Sequence, residues 1–453
     1  MPDRVGGNSN AMIRLSTAAL LLASCGGPPA VAVEAFPGAH GFGAGARGGR
    51  GGTVHEIVNL NDAGPGSLRA CIEASGPRTC VFRVGGTIEL SSPVVARAPY
   101  LTIAGQTAPG DGIALRLAHA PTRPGSPLVA ADVHDVVIRH IRLRPGPSSE
   151  RASTDALTIH DSHDVIVDHV SMSWAPDENL GMGGAVQNVT AQWSIMAEGL
   201  HPHSKGTLAC GPGWNCSNVT LHRNLYVSNR DRNPELNGAA FGHFDVVNNV
   251  MYNPKSEYVE VWSTWGGTLA NIVGNTFRKG PNTNGWAHGL RYHDREARGF
   301  PLVYMADNAS EVPLLAPGTA PHVVRRPVAT LSIAPEPAAA AYEEVLAQAG
   351  AWPRDAVDAR LVAEVRNRRG RIISRPAEVG GWPDLASGIA PTDADHDGMP
   401  DDWERTHGLD PDDPADRNGD RDRDGYTNLE EYLNELAAFL VTASGSEAVG
   451  RQQ

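Results

Sequence analysis

An all-β, right-handed parallel β-helix is the fold this sequence predicts. Three observations carry that expectation. A nine-residue pattern recurs along the middle of the chain. Its copies alternate apolar and polar residues with no helix between them. Glycine and proline are abundant, at 50 and 34 of 453 residues, which suits many short strands joined by turns.

The repeat opens at Asp135–Leu143 and returns at Asp164–Met172, Asn188–Met196 and Asn218–Tyr226. Weaker copies are Phe244–Tyr252 and Ala270–Phe277. The starts lie roughly 24 to 30 residues apart. Self-similarity at such a period means stacked units, none of which can bury an apolar face alone. Asn224, Asn249 and Asn275 fall at equivalent positions, where a stacked asparagine ladder would satisfy backbone groups at a turn. A leucine-rich-repeat solenoid has a shorter period and a leucine pattern missing here. A β-propeller needs strands in regular fours.

The N-terminus reads as an export signal. Arg14 precedes the apolar run Leu15–Ala23, and small residues lead to Cys25. The ending resembles a bacterial lipobox, with Cys25 the lipidated residue. Met12 is an alternative start. Beyond this signal no stretch is long and apolar enough to span a membrane. Four further cysteines form two close pairs, Cys71 with Cys80 and Cys210 with Cys216, read as disulfides in an oxidising compartment. Neither spacing is the tight form of a zinc site.

Glycine-dense Phe36–Gly52 lacks the ending of a phosphate loop and is read as extended backbone lying close to the scaffold. Ser67 is placed to cap a short helix whose apolar face is Leu68, Cys71 and Ile72. From Ala338 the texture turns helical. The runs Ala338–Gly350 and Asp355–Arg366 are expected to pack on the β-helix or close its end.

The net charge is −13, but 15 Asp and Glu against 4 Arg fall between Pro391 and Glu431. The rest of the chain is near neutral and has no basic stripe, which argues against nucleic acid as a partner. That acidic stretch holds two calcium-loop patterns. Asp393, Asp395, Asp397, Asp401 and Glu404 stand at loop positions 1, 3, 5, 9 and 12, with Gly398 at 6. Asp420, Asp422, Asp424, Asn428 and Glu431 repeat the pattern 27 residues later, with Gly425 as the turn. The segment between the loops is too short for full EF-hand helices. A compact dockerin-like or thrombospondin type 3-like module is expected, serving folding stability or docking to a partner.

Two strand-like pieces between His201 and Asn237 carry Lys205, Arg230 and Arg232 close together, a set suited to an acidic substrate. The surrounding motifs identify a resemblance. Phe36–Gly43, Asn61–Arg69, Val84–Ile88, Asp155–Ile159, Val165–Trp174 and the run from Arg354–Asp358 to Gly380–Pro383 occur in the order found in bacterial pectate lyases of polysaccharide lyase family 1. The match spans roughly Ala35 to Gly388.

The resemblance implies a calcium-dependent β-elimination on polygalacturonate. Arg232 matches the catalytic arginine and Lys205 the lysine that holds the substrate carboxylate. Arg230, His203 and Asn237 are placed as substrate contacts. Asp155 and Glu178, with Asp177 beside it, match calcium ligands. The chain departs from the family twice: Met182 stands for an aspartate and Asn237 for a second arginine. A lyase of methylated or decorated pectin, and a catalytically silent polysaccharide-binding β-helix or adhesin, are the alternatives. A hydrolase on this fold would need clustered aspartates that the sequence lacks.

The expected organisation is a signal in 1–34, a lyase domain in 35–389, a calcium module in 390–436 and a tail in 437–453. The protein is expected to be a monomer, secreted or held at the cell surface, touching membrane only through the lipid anchor at Cys25.

Overall fold

The structure is a computed structural model. It describes residues 33–118, 125–147, 154–211 and 214–450, with side chains up to residue 442. The export signal and the lipidation expectation at Cys25 lie outside the described residues. No helix among them is long and apolar enough to cross a membrane.

Three parallel sheets run the length of the coil, with eleven, eight and nine strands among the described residues. Within each sheet, neighbouring strands pair in parallel with their equivalents on adjacent rungs, as the β-helix expectation requires.

The repeat has a conformational cause. Its opening residues Asp135, Asp164, Asn188 and Asn218 all take positive φ, between 52° and 56°. Asp and Asn tolerate that left-handed conformation better than most residues. Their side chains also stack: Asn188 Nδ2 donates to Asp164 Oδ1 at 3.0 Å, and Asn218 Nδ2 to Asn188 Oδ1 at 3.0 Å. At the next corner the asparagine ladder forms as expected and runs one rung further. Asn224 donates to Asn249, Asn249 to Asn275, and Asn275 to Asn308, each at 3.0 Å.

Between the corners, alternate residues fill the core. Val136, Val165, Val189, Val219 and Phe244 stack in one column, and Ile138, Val167, Ala191, Leu221 and Val246 in another. Burial of such columns is the main driving force for coil formation.

Both expected disulfides are present, Cys71–Cys80 and Cys210–Cys216. Ser67 caps the helix Leu68–Ile72 and accepts from Ala70 N. The glycine-dense strap lies over the eleven-stranded sheet. Its amides donate to Thr220 and Thr190 on adjacent rungs and to Thr102 three rungs before Thr190. A Cβ at Gly43 would fall 2.3 Å from the Val165 carbonyl oxygen, so the strap requires glycine there.

The helices Ala338–Gln348 and Ala356–Asn367 cover the nine-stranded sheet. Val345, Leu346, Leu361 and Val365 share an apolar cluster with Ile195, Leu225 and Val250. Beneath them Arg142 and Arg144 are buried with Asp355 and Asp358. Arg144 Nη2 reaches Asp355 at 3.1 Å and Asp358 at 2.8 Å. Buried charges of both signs need such mutual pairing.

Candidate active site

The eight-stranded sheet carries a cleft on its outer face, with a volume of about 250 Å3. Four consecutive rungs contribute, the first carrying Asp155 just ahead of the strand Leu157–His160. Glu178 opens the strand Glu178–Gly183 and stands beside Lys205, which opens Lys205–Ala209. Lys205 in turn bridges to Asp231 on the next rung, and Arg232 follows. Stacking therefore brings together residues that the sequence holds about 26 apart.

The cleft is lined by Asp155, Asp177, Glu178, His203 and Arg232, all expected site residues, and by Thr158, His160 and Trp214, which sequence reasoning missed. The only sequence hint of Trp214 is its place inside the Cys210–Cys216 loop, whose disulfide pins the ring near His160.

Glycine forms the floor. A Cβ at Gly181 would lie 2.1 Å from Asp155 Oδ2, and one at Gly183 would lie 2.9 Å from the Trp214 ring. Met182 between them is 1 % exposed and belongs to the apolar core. Met182 also lines the cleft floor.

The carboxylates are crowded. Asp155 accepts from Thr158 Oγ1 at 2.7 Å and from the Glu178 amide at 3.3 Å. Burial and the charge of Asp177 still push its carboxyl up to about 7. Glu178 rises well above the usual carboxylate range, through burial and then Asp155. Asp177, Glu178 and His203 each present a ligand atom within 4.8 Å of the others, with His203 Nδ1 2.5 Å from Asp177 Oδ1.

Arg232 is clasped by acids. It forms ion pairs with Glu178 and, through Nε at 2.8 Å, with Glu235. Its amide donates to Glu260 at 3.0 Å. Burial disfavours the charged guanidinium. Glu235, Glu178, Glu260 and Asp231 outweigh that and hold its pKa above the usual arginine range. Glu235 is itself pushed up to about 7 by burial, against the pull of Arg232. Neither stood out in sequence: Glu235 lies three residues after Arg232 but belongs to no motif, and only the rung stacking brings Glu260 there.

The other expected residues are placed differently. The Lys205 ammonium pairs with Asp231. Arg230 is well exposed and reaches the Pro202 carbonyl at 3.3 Å. Asn237, expected at the substrate, is not brought to the cleft. It is 1 % exposed, its Nδ2 donates to Thr264 Oγ1 at 2.9 Å, and its Oδ1 accepts from the Thr264 amide at 3.2 Å. Its polar groups are spent inside the coil.

Both tail loops have one backbone design. Asp393 accepts from the Gly398 amide and Asp420 from the Gly425 amide, each at 3.1 Å. The two glycines have φ of 97° and 102°. Asp393, Asp395 and Asp397 converge, as do Asp420, Asp422 and Asp424. Asp401 instead accepts from the Ala394 amide at 2.8 Å and pairs with Arg405. Asn428 Nδ2 donates to the Asp416 carbonyl at 2.7 Å. Glu404 is pushed up to about 8 by burial and neighbouring aspartates, Asp397 first. Glu431 closes the second pattern, its pKa raised by burial and by Asp424 and Asp422.

The fold and the cleft define a class: a parallel β-helix with clustered carboxylates, a lysine and a half-buried arginine on one long face. Relatives give the particular family. The chain is 39% identical over 427 residues to a probable pectate lyase C of Aspergillus flavus, covering 89% of this chain and 94% of that protein. It is 36% identical over 451 residues to a probable pectate lyase C of Aspergillus fumigatus, covering 94% and 99%. The chain belongs to the pectate lyase family. These relatives are fungal, whereas the resemblance in sequence is to bacterial members.

No family model matches the chain. Among solved structures, the major allergen of cedar pollen superposes with a TM-score of 0.53 at 16% identity, over 69% of this chain and 92% of that one. A thermostable pectate lyase gives 0.50 at 15% identity, over 69% and 97%. At such identities the likeness is one of fold.

Proposed function

We propose that the protein is a secreted pectate lyase that cleaves polygalacturonate by β-elimination. The supporting observation is the meeting of Arg232, Lys205 and the Asp155–Asp177–Glu178 carboxylates on adjacent rungs of one open face.

The donor set fits calcium. It is dominated by carboxylate oxygens, and burial, with their mutual repulsion added, holds Asp155 and Glu178 above their ordinary range. Asp155, Asp177 and Glu178 would hold the ion. When bound, it supplies positive charge that offsets the substrate carboxylate and makes the neighbouring C5 proton more acidic.

Lys205 is the residue assigned to the substrate carboxylate, taking it in place of Asp231. Arg232 is assigned to the C5 proton. Removing that proton leaves the C5–H electrons to form the C4–C5 double bond, while the C4–O4 bond breaks and O4 departs with a proton. A base must be neutral when it acts, and an arginine ordinarily stays protonated. Arg232 can serve only when the acids around it are satisfied otherwise. Glu178 must turn to another cation, and Glu235 must carry a proton.

Trp214 and His203 flank the cleft and suit the apolar faces and hydroxyls of a sugar. The acidic tail is proposed as a calcium-binding module spanning 390–436, after a lyase domain of 35–389.

Product analysis tests the reaction class. A lyase gives oligosaccharides with an unsaturated non-reducing end, lighter by one water than hydrolysis products. Saturated products would make the enzyme a hydrolase. Binding of polygalacturonate without any product, in the presence of calcium, would favour the silent binder.

A further inference from the structure

The first tail loop buries carboxylates of its twelve-residue pattern without pairing them. Both carboxylate oxygens of Glu404 and of Asp395, together with Asp397 Oδ2, are shut from solvent and have no hydrogen-bond partner. Glu404 and Asp397 are each 0 % exposed. A buried carboxylate without a partner is costly, and native proteins rarely keep several together.

A further acid points at the same spot. Asp416 lies beyond the loop, on the short turn Asp416–Asn418. Its Oδ2 accepts from the Asp410 amide at 3.0 Å, while Oδ1 is buried and unpartnered. Ligand atoms of Asp397, Glu404 and Asp416 lie within 4.8 Å of one another. Hard oxygens converging in this way fit a calcium ion, which takes six to eight of them. The second loop differs: Asp420, Asp422 and Asp424 are all exposed.

The loop is also seated on the β-helix. Met399, Leu429 and Leu433 form an apolar cluster with Ala104 of the coil. A Cβ at Gly398 would meet Val81 and Val54, at 3.2 and 3.3 Å for the nearest atoms, so the loop backbone lies against the first rungs. Arg83 of the coil pairs with Asp393 at 3.5 Å and donates to the Pro391 carbonyl. Arg50 holds Glu430 through contacts of 2.8 and 2.9 Å.

We propose that Asp416 completes a calcium cage with Asp393, Asp395, Asp397 and Glu404, and that the ion bound there fastens the tail to the β-helix as a structural staple. The inference rests on reading the tail as a calcium module, and goes beyond it by adding a ligand and assigning a job. The tail is then part of the catalytic body's stability and not a free docking arm. Asn428 Nδ2, bonded to the Asp416 carbonyl, joins the second loop to the same staple.

The test uses the full chain, with calcium titrated calorimetrically and Tm followed with calcium and with chelator. Asp416→Asn, Glu404→Gln and Asp424→Asn are compared. Asp416→Asn and Glu404→Gln are expected to lose one bound calcium and most of the calcium-dependent rise in Tm. Lyase activity at room temperature and saturating calcium should be retained. Asp424→Asn should keep that rise in Tm. If Asp416→Asn binds calcium and melts like the wild type while Glu404→Gln does not, Asp416 is no ligand but the tail still binds calcium. If neither differs from the wild type, the calcium reading of this loop fails. Loss of the ion without any change in Tm would refute the staple alone.

Discussion

Glu178 and Arg232 stand 54 residues apart in sequence and meet as an ion pair inside the cleft. The pair joins the proposed calcium site to the proposed base. Glu178 cannot serve the cation fully while it holds the guanidinium, so the two halves of the site are coupled. Glu178→Gln should therefore weaken cleft calcium binding by about tenfold or more, in line with losses at other metal sites. Activity should need correspondingly more calcium. A calcium titration of lyase rate checks this, and an unchanged midpoint would remove Glu178 from the site.

Calcium binding at the cleft should also depend on pH. The Asp155 carboxyl is held at about 7, so the metal-free protein carries a proton there below neutrality. Calcium must displace that proton. The apparent Kd should rise as pH falls below 7, by up to about tenfold per unit for one proton. Above pH 7 the dependence on this group should flatten. Calorimetric titrations at several pH values, compared with Asp155→Asn, measure it.

Trp214 is 36% exposed at the cleft edge, in the loop closed by Cys210–Cys216. If its ring supports the sugar in ground and transition state alike, Trp214→Ala should raise KM several-fold and leave kcat nearly unchanged. A fall in kcat at constant KM would give the ring a different role. Steady-state kinetics on polygalacturonate separates the two.

Stability should fall on acidification through His222. Burial, with Arg223 beside it, lowers its pKa from 6.5 to about 3. The unfolded chain therefore binds a proton that the folded protein refuses between those values. The contribution of His222 is fully present above about 6.5 and is lost as pH falls towards 3, at up to about 1.4 kcal/mol per unit. Denaturant unfolding across that window should show a shallower pH slope in His222→Asn.

The coil was legible because its corners demand particular residues. Asp135, Asp164, Asn188 and Asn218 mark left-handed turns, and Asn224, Asn249 and Asn275 mark a ladder. Such residues leave a periodic trace in one dimension. Asp155, Glu178, Lys205 and Arg232, the residues of the proposed site, were picked out by motif. Glu260 and Trp214 were not, because stacking of distant rungs makes them neighbours of the site, while Glu235 and His160 lie close in sequence to Arg232 and Asp155 but belong to no motif. Asn237 misled for the converse reason: its place in the motif did not reveal that Thr264 engages it inside the coil. Asp416 escaped notice because the calcium-loop pattern ends at Glu404, while the fold brings a later turn back onto it.

The most direct test of the whole account is ultraviolet absorbance during incubation with polygalacturonate, following the unsaturated C4–C5 bond. It should be run with calcium, with chelator, and with Arg232→Lys, which keeps the charge but not the two-sided contact to Glu178 and Glu235. The account predicts a steady rise with wild type and calcium, none with chelator, and a rate lowered about a hundredfold or more in the variant, as for loss of a general base. Full activity in Arg232→Lys, or a rise that ignores the chelator, would contradict it.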